Sequence, residues 1–341
     1  MTDERPDQTA ETMIRLEQVS KTYPGSSSAA VETLTLDVRA GEIVVLVGPS
    51  GCGKTTTMRM INRLIEPTTG RIILDGRDVT DIDADELRRQ IGYVIQQVGL
   101  LPHLTVASNV ALVPRALGWG KQQIRTRVDE LLDLVGLEPG TYRSRYPKQL
   151  SGGQQQRVGV ARALAADPPV MLMDEPFGAI DPIIRDRLQD EFLLLQAQIH
   201  KTVVFVTHDI QEAAKLGDRI AIFSEGGRIA QYDTPARVLA EPADDFVASF
   251  IGSGAAVRLL GLEHAGALPL QELDEVRGER HRQGSAAVVR SEQSVYDALD
   301  AMLRAHDDVV VVVDGEGQVL GGLPWQTVLK DTGDHRQRTI R

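Results

Sequence analysis

Apolar positions recur along this chain in two rhythms. Ile14 and Leu16 alternate with polar residues, as do Leu34, Leu36 and Val38, so residues 13–47 read as strand. A turn rich in Pro, Gly and Ser, residues 23–30, separates the two sets. Three short runs, 43–47, 170–173 and 203–206, are apolar throughout. A run that does not alternate suits a strand covered on both faces, as in a parallel sheet. Between these runs the spacing changes to three and four: Ile124, Val128, Leu131, Leu132 and Val135 mark an amphipathic helix. Strands alternating with helices predict an α/β fold around a parallel sheet. Residues 98–150 carry helical patterns and no buried strand, which predicts a helical subdomain.

The same pattern predicts the domains. Residues 1–12 are polar and are expected to fray. A large domain spans 13–252, and a Gly- and Ala-rich stretch at 253–257 reads as a linker. A small α/β module follows over 258–330. It has an apolar stretch at 286–289, a helix at 295–303, a strand at 309–313, a turn at 314–317 and a further strand from Val319. Residues 331–341 are a polar tail.

Charge and composition narrow the class. The formal net charge of −11 argues against a nucleic-acid binder, which needs a basic face to neutralise phosphates. The single cysteine, Cys52, excludes an intrachain disulfide and suits a reducing compartment. The first eight residues are polar, so no secretory leader is expected there. No apolar run approaches the roughly 20 residues of a membrane-spanning helix, so work at a membrane requires other chains to supply the spans.

Residues Gly48, Pro49, Ser50, Gly51, Cys52, Gly53, Lys54 and Thr55 fit the phosphate-binding pattern G-x-x-x-x-G-K-[ST]. A buried strand precedes them, and a helix is predicted from Thr56 to Leu64. The glycines let the backbone wrap around phosphates, and the helix start offers free N–H groups. Lys54 can reach the β- and γ-phosphates of a nucleotide, and the Thr55 hydroxyl can ligate Mg²⁺. The run at 170–173 ends in Asp174 and Glu175. At the C-terminal end of a parallel strand they are expected beside the loop, Asp174 holding Mg²⁺ through water and Glu175 polarising the attacking water. The loop alone does not separate a kinase, a GTPase and a transport ATPase.

Leu150-Ser-Gly-Gly-Gln-Gln-Gln-Arg157 makes that separation. Ser151, Gly152, Gly153 and Gln154 open a helix whose start suits a γ-phosphate. The segment resembles the signature motif of ABC ATPases. The resemblance implies an ATP sandwich dimer, in which the signature of one copy closes on ATP held by the other. Further elements resemble the family in order. Tyr23, in Lys-Thr-Tyr-Pro, corresponds to the aromatic residue that stacks on adenine. Gln96, in Tyr-Val-Ile-Gln, corresponds to the glutamine that senses the γ-phosphate and Mg²⁺. Asp181, in Gly-Ala-Ile-Asp-Pro, corresponds to the acid that communicates across the dimer, although the family more often has Leu where Ile180 stands. His208 corresponds to the histidine on the γ-phosphate, acting with Glu175 and Lys54 in catalysis. The resemblance covers residues 13–251. It implies a parallel core sheet, an antiparallel β subdomain and a helical subdomain.

One ATPase domain without membrane spans is the organisation of importer subunits. Residues 91–106, with Gln96-Gln97 followed by Gly99-Leu-Leu-Pro-His103, resemble importer ATPases for glycine betaine, choline, carnitine or proline betaine. The resemblance implies integral membrane permease subunits as partners, docking around residues 100–109, and indirectly an extracytoplasmic substrate-binding protein. The segment from Val295 through Gly321 resembles a single CBS-type module, which such importer ATPases carry as a tandem pair. Nucleotide-binding modules have Thr and Asp where Pro324 and Thr327 follow Gly321 here, so the ribose-binding carboxylate is absent. A lone module implies pairing with its counterpart on the second copy. An importer for another solute, such as an amino acid, is the alternative, and a non-transport ABC ATPase is a more distant one.

Overall fold

The computed structural model describes residues 11–95, 99–178, 180–273 and 287–328. The chain divides into two compact units, Met1–Tyr232 and Asp233–Arg341. Among the described residues, no helix is long and apolar enough to cross a membrane.

The first unit contains two sheets. Strands β1 (Thr12–Lys21), β2 (Val31–Arg39), β4 (Thr69–Leu74) and β5 (Arg77–Asp78) form an antiparallel sheet in the order β2-β1-β4-β5. The alternation seen in the sequence is its cause: Ile14, Leu16, Leu34, Leu36 and Val38 all point into the core. The second sheet has six strands: β3 (Ile43–Val47), β6 (Ile91–Val94), β7 (Val170–Asp174), β8 (Thr202–Thr207), β9 (Arg219–Phe223) and β10 (Ile229–Asp233). Their order is β10-β9-β3-β8-β7-β6, and β9, β3, β8, β7 and β6 run parallel.

Helices cover both faces of the parallel sheet, which is why β3, β7 and β8 are buried at every position. On one face Val44, Leu46, Leu172, Val204 and Val206 join the antiparallel sheet and α1 (Lys54–Ile61) in one core. On the other, Phe205 packs with Phe177 and Phe192, ring centroids 5.9 and 6.4 Å away. Helix α2 (Ala84–Arg89) leads into β6. The helical segment predicted from residue 98 contains α3 (Val106–Val110), α4 (Leu112–Ala116), α5 (Lys121–Leu134) and α6 (Pro139–Tyr142), with no strand among its described residues. Helices α7 (Gly152–Ala163), α8 (Pro182–Ile199) and α9 (Ile210–Leu216) complete the unit.

The second unit starts earlier than the sequence pattern suggests. It includes α10 (Pro235–Ala240) and α11 (Asp245–Ile251), capped by Thr234 and Asp244. Residues 253–257, expected as a linker, run instead into α12 (Ala255–Leu259). Gly254 turns the chain at φ 87°, and the buried Leu260 anchors it in the unit's core. Strands β11 (Val288–Arg290), β12 (Val309–Val313) and β13 (Val319–Pro324) form a three-stranded sheet with β12 central. Helix α13 (Val295–Ala305) packs Val295, Ala298 and Met302 against it. The expected N-terminal fraying and the tail at 331–341 lie outside the described residues, except for the start of β1.

Leu46 is fully buried in the middle strand of the main core. Leu46→Ala should lower stability by about 2–5 kcal/mol, because the transfer loss and the cavity add. Urea unfolding followed by circular dichroism measures this.

Candidate active site

Strand register builds the site. Strand β8 lies between β3 and β7, with Val47 opposite Thr207 and Asp174 opposite Val206. All three run parallel, so their C-terminal ends share one edge of the sheet. The residues that follow are Gly48, His208 and Glu175. Three segments far apart in sequence thus deliver the phosphate loop, a histidine and two acids to one edge.

The loop lies close to neighbouring backbone. A Cβ on Gly48 would come within 2.4 Å of the Phe223 carbonyl oxygen, and one on Gly53 within 2.6 Å of that of Ala30. Gly53 also has φ 100°, so both positions require glycine. Cys52 is buried, whereas Ser50 and Gly51 face solvent. No side chain caps the N-terminus of α1, which leaves its first N–H groups open to an anion. The Lys54 Nζ is buried within the loop, donating to the carbonyls of Gly48 (2.7 Å) and Pro49 (2.9 Å). Thr56, one position beyond Thr55, is half-buried.

The Thr55 hydroxyl donates to Asp174 Oδ1 at 3.1 Å. Burial pushes the Asp174 carboxyl above its ordinary value, opposed by that hydrogen bond and by the charges of Arg59 and Lys54. Two hard oxygen donors side by side, next to a phosphate loop, match the preference of Mg²⁺ for carboxylate, hydroxyl and phosphate ligands. Glu175 is next in sequence but turns away from the strand: its φ is 44° while its N–H still donates to Val206 O at 3.0 Å. A left-handed conformation costs a non-glycine residue about 1–2 kcal/mol and marks a site where geometry has been imposed. Its Oε2 lies 3.3 Å from His208 Nδ1.

The remaining predicted residues divide into groups. Tyr23 is partly exposed in the 23–30 turn, which abuts the loop at Gly53 through Ala30, and Lys21 Nζ sits 5.3 Å from its ring centroid. Ser151 and Gly152 are exposed at the start of α7, with Gly153 beside them. Ser151 Oγ accepts from Gln154 N–H, and the Gln154 side chain accepts from Ser151 N–H, a capping box that fixes this helix start. Asp181 is exposed just ahead of α8. Gln96 lies outside the described residues. Arg59, which sequence reasoning missed, also acts on Asp174, and Tyr93 feels the charge of Asp174 in turn. Arg59 is one helical turn beyond Thr55, a spacing that could have flagged it. Burial raises the Tyr93 phenol's pKa, and the negative charge of Asp174 adds to the effect.

Comparison with known proteins places this geometry. Residues 31–178 match the family model described as ABC transporter. The chain is 49% identical over 310 residues to the choline transport ATP-binding protein OpuBA of Bacillus subtilis (strain 168), covering 91% of this chain and 77% of that protein. It is 44% identical over 318 residues to the glycine betaine uptake system ATP-binding protein YehX of Escherichia coli (strain K12), covering 93% and 99%. Among solved structures it resembles dimeric MJ0796, a bacterial ABC transporter cassette, with TM-score 0.59 and 39% identity over 65% of this chain and 99% of that one. The same cassette is also known in a post-hydrolysis state bound to ADP and Pi.

Folding favours the protonated form of Asp174, because its pKa is raised in the folded chain. That contribution is full below the ordinary value of 3.8 and is lost as pH rises through the raised one. At neutral pH the nucleotide-free fold therefore carries the cost of a buried carboxylate. Asp174→Asn should raise the melting temperature at neutral pH, and the gain should shrink as pH falls. Scanning calorimetry across pH checks the sign.

Proposed function

The chain belongs to the ABC transporter family of ATP-binding proteins and is an ATPase, and we propose that it powers an importer of glycine betaine, choline or a related quaternary amine. The observation that carries the reading is the shared sheet edge, where the phosphate loop meets Asp174, Glu175 and His208. The solute reading is supported by the extent of the likeness. The matches to the choline and glycine betaine proteins span 91% and 93% of the chain, well beyond the ATPase motifs.

In this reading the triphosphate enters the loop as Lys54 exchanges its bonds to Gly48 O and Pro49 O for phosphate oxygens. Tyr23 stacks on the adenine. Thr55 and Asp174, with Gln96, would hold Mg²⁺, which would draw charge from the β- and γ-phosphate oxygens. Glu175 takes a proton from the attacking water. The water oxygen bonds to the γ-phosphorus while the bond to the ADP oxygen breaks. His208 contacts the γ-phosphate and holds the Glu175 carboxylate through Nδ1.

A second copy completes the site with its own signature helix start, which offers uncompensated N–H groups to the γ-phosphate. Asp181 reports across that interface. At the cytoplasmic face of the membrane, permease subunits dock on the helical subdomain, where Leu101 and Leu117 are exposed. Asn109 serves this surface from below: it is buried and bonds Leu101, Leu104 and Thr105, which holds the 101–105 loop in shape. A binding protein on the far side delivers solute to the permease. Residues 258–330 act as a single CBS-like module that pairs with its counterpart, with Tyr296 and Leu303 on its exposed surface.

Glu175→Gln keeps the shape of the site and removes the base. It should retain ATP binding and slow phosphate release by at least about 10²-fold, the usual contribution of a general base. Unchanged turnover would remove Glu175 from the mechanism. For the solute, cells expressing the whole importer at raised osmolarity should accumulate labelled glycine betaine or choline, and Lys54→Ala should abolish uptake. Uptake of an amino acid instead would overturn the solute reading and leave the ATPase intact.

A further inference from the structure

A buried polar cluster lies directly behind the active edge and takes no part in the steps above. Glu212 on α9 is 7% exposed, and its carboxylate is met by side chains from α8 and β8. Gln189 on α8, 5% exposed, donates from Nε2 to Glu212 Oε1 at 3.0 Å. Thr207, the last residue of β8 and 1% exposed, lies close enough that its hydroxyl lowers the pKa of the same carboxylate. The Thr207 Oγ1 in turn accepts from the backbone N–H of Asp209 at 3.1 Å. His208 is the residue between, so one hydroxyl meets both the backbone of the turn that carries it and the Glu212 carboxylate.

The cluster also reaches the front of α8. Arg185, one turn ahead of Gln189, donates from its guanidinium to Ile180 O at 3.0 Å and from its N–H to Asp181 O at 2.8 Å. Its positive charge also acts on Glu212. Burial pushes the Glu212 carboxyl up, and the bonds from Thr207 and Gln189 oppose that push. An apolar side chain could seat α9 against the sheet without this desolvation. A satisfied buried network, by contrast, specifies one geometry.

We propose that Glu212 is a positioning residue for ATP hydrolysis: through Thr207 it fixes His208 against Glu175, and through Gln189 it ties that turn to the helix led by Asp181. This rests on the reading of Glu175 and His208 as hydrolytic residues. A carboxylate that merely packed α9 would affect stability alone. One that orients His208 must affect the rate of chemistry more than the affinity for ATP.

The test uses the full-length protein and compares Glu212→Leu, Glu212→Gln, Thr207→Val and His208→Ala. Steady-state phosphate release gives kcat and KM, and equilibrium titration gives ATP affinity. Glu212→Leu and Thr207→Val should each lower kcat at least about fivefold, with KM and ATP affinity within about twofold of the parent. Glu212→Gln, which can still accept from Gln189 and donate to Thr207, should recover at least about half of the parent kcat. If Glu212→Leu does not fold, Thr207→Val carries the test, because it removes one hydroxyl without changing volume. The proposal is overturned if kcat for the soluble variants stays within about twofold of the parent, whatever their melting temperatures, or if ATP affinity falls in step with kcat. Full turnover in His208→Ala would instead remove the hydrolytic reading on which the proposal stands.

Discussion

The site depends on one constraint: parallel strands packed on both faces must end at a common edge. Strands β3, β8 and β7 are apolar at nearly every position because helices and a second sheet leave them no solvent face. That burial fixes their register, since a slip by one residue would exchange the two faces of each strand. Register in turn decides the chemistry. Val47 opposite Thr207 and Asp174 opposite Val206 bring Gly48 level with His208 and Glu175 one residue behind them. The local strain follows from the same constraint. Gly48 and Gly53 run too close to Phe223 and Ala30 for any side chain, and Glu175 adopts φ 44° to leave the strand. Strain of this kind persists only where the surroundings overdetermine it, and a fully buried sheet edge does so.

How much of this was legible in the sequence follows from the same physics. Uninterrupted apolar runs announced β3, β7 and β8, and alternation announced β1 and β2. Strand β6 was harder to see. It is four residues long and includes Gly92, where a Cβ would fall 2.7 Å from the Ala163 carbonyl, so its composition reflects the close approach of α7 rather than strand propensity. Strand β9 begins with Arg219, whose guanidinium stacks on Tyr232 at 4.4 Å, a contact no local pattern reveals. The small residues of 253–257 read locally as a linker. Gly252 and Gly254 instead cap the two helices on either side, and Leu260, just beyond, is buried in the second unit's core. The phosphate loop, the acids after β7 and the signature helix start were legible because each is a contiguous string tied to one element. The network of Thr207, Gln189 and Glu212 was not, because its members lie on three elements and meet only after folding.

The charges at the edge bear on the proposal that a second copy completes the site. A chain with a net charge of −11 must receive a polyanion, and it places two carboxylates, Asp174 and Glu175, where the phosphates arrive. Lys54, the uncapped start of α1 and the loop N–H groups offset that charge on the α- and β-phosphate side. On the γ side the chain offers His208, more than half exposed, and a strained carboxylate. The complementary feature is the exposed start of α7. Its capping box satisfies the N–H groups of Ser151 and Gln154, and Gly152 between them is exposed. A donor surface held so firmly, on a different element from the phosphate loop, suits a ligand presented by another copy.

That division of labour makes the orientation of a few buried side chains consequential. Helix α8 begins just after the exposed Asp181, and its Gln189 bonds Glu212 on α9. It also bears Glu191, which pairs with Arg157 on the signature helix. One rigid element thus connects the exposed Asp181, the buried carboxylate on α9 and the helix that starts at Ser151. Rearrangement at either site must pass through α8 or deform it, and a packed helix moves as a body more readily than it bends. The buried Glu212 and Gln189 pair sits where such a movement would be felt first. A movement of α8 that leaves the core closed must carry Glu212 with it, and through Thr207 it would shift His208 relative to Glu175.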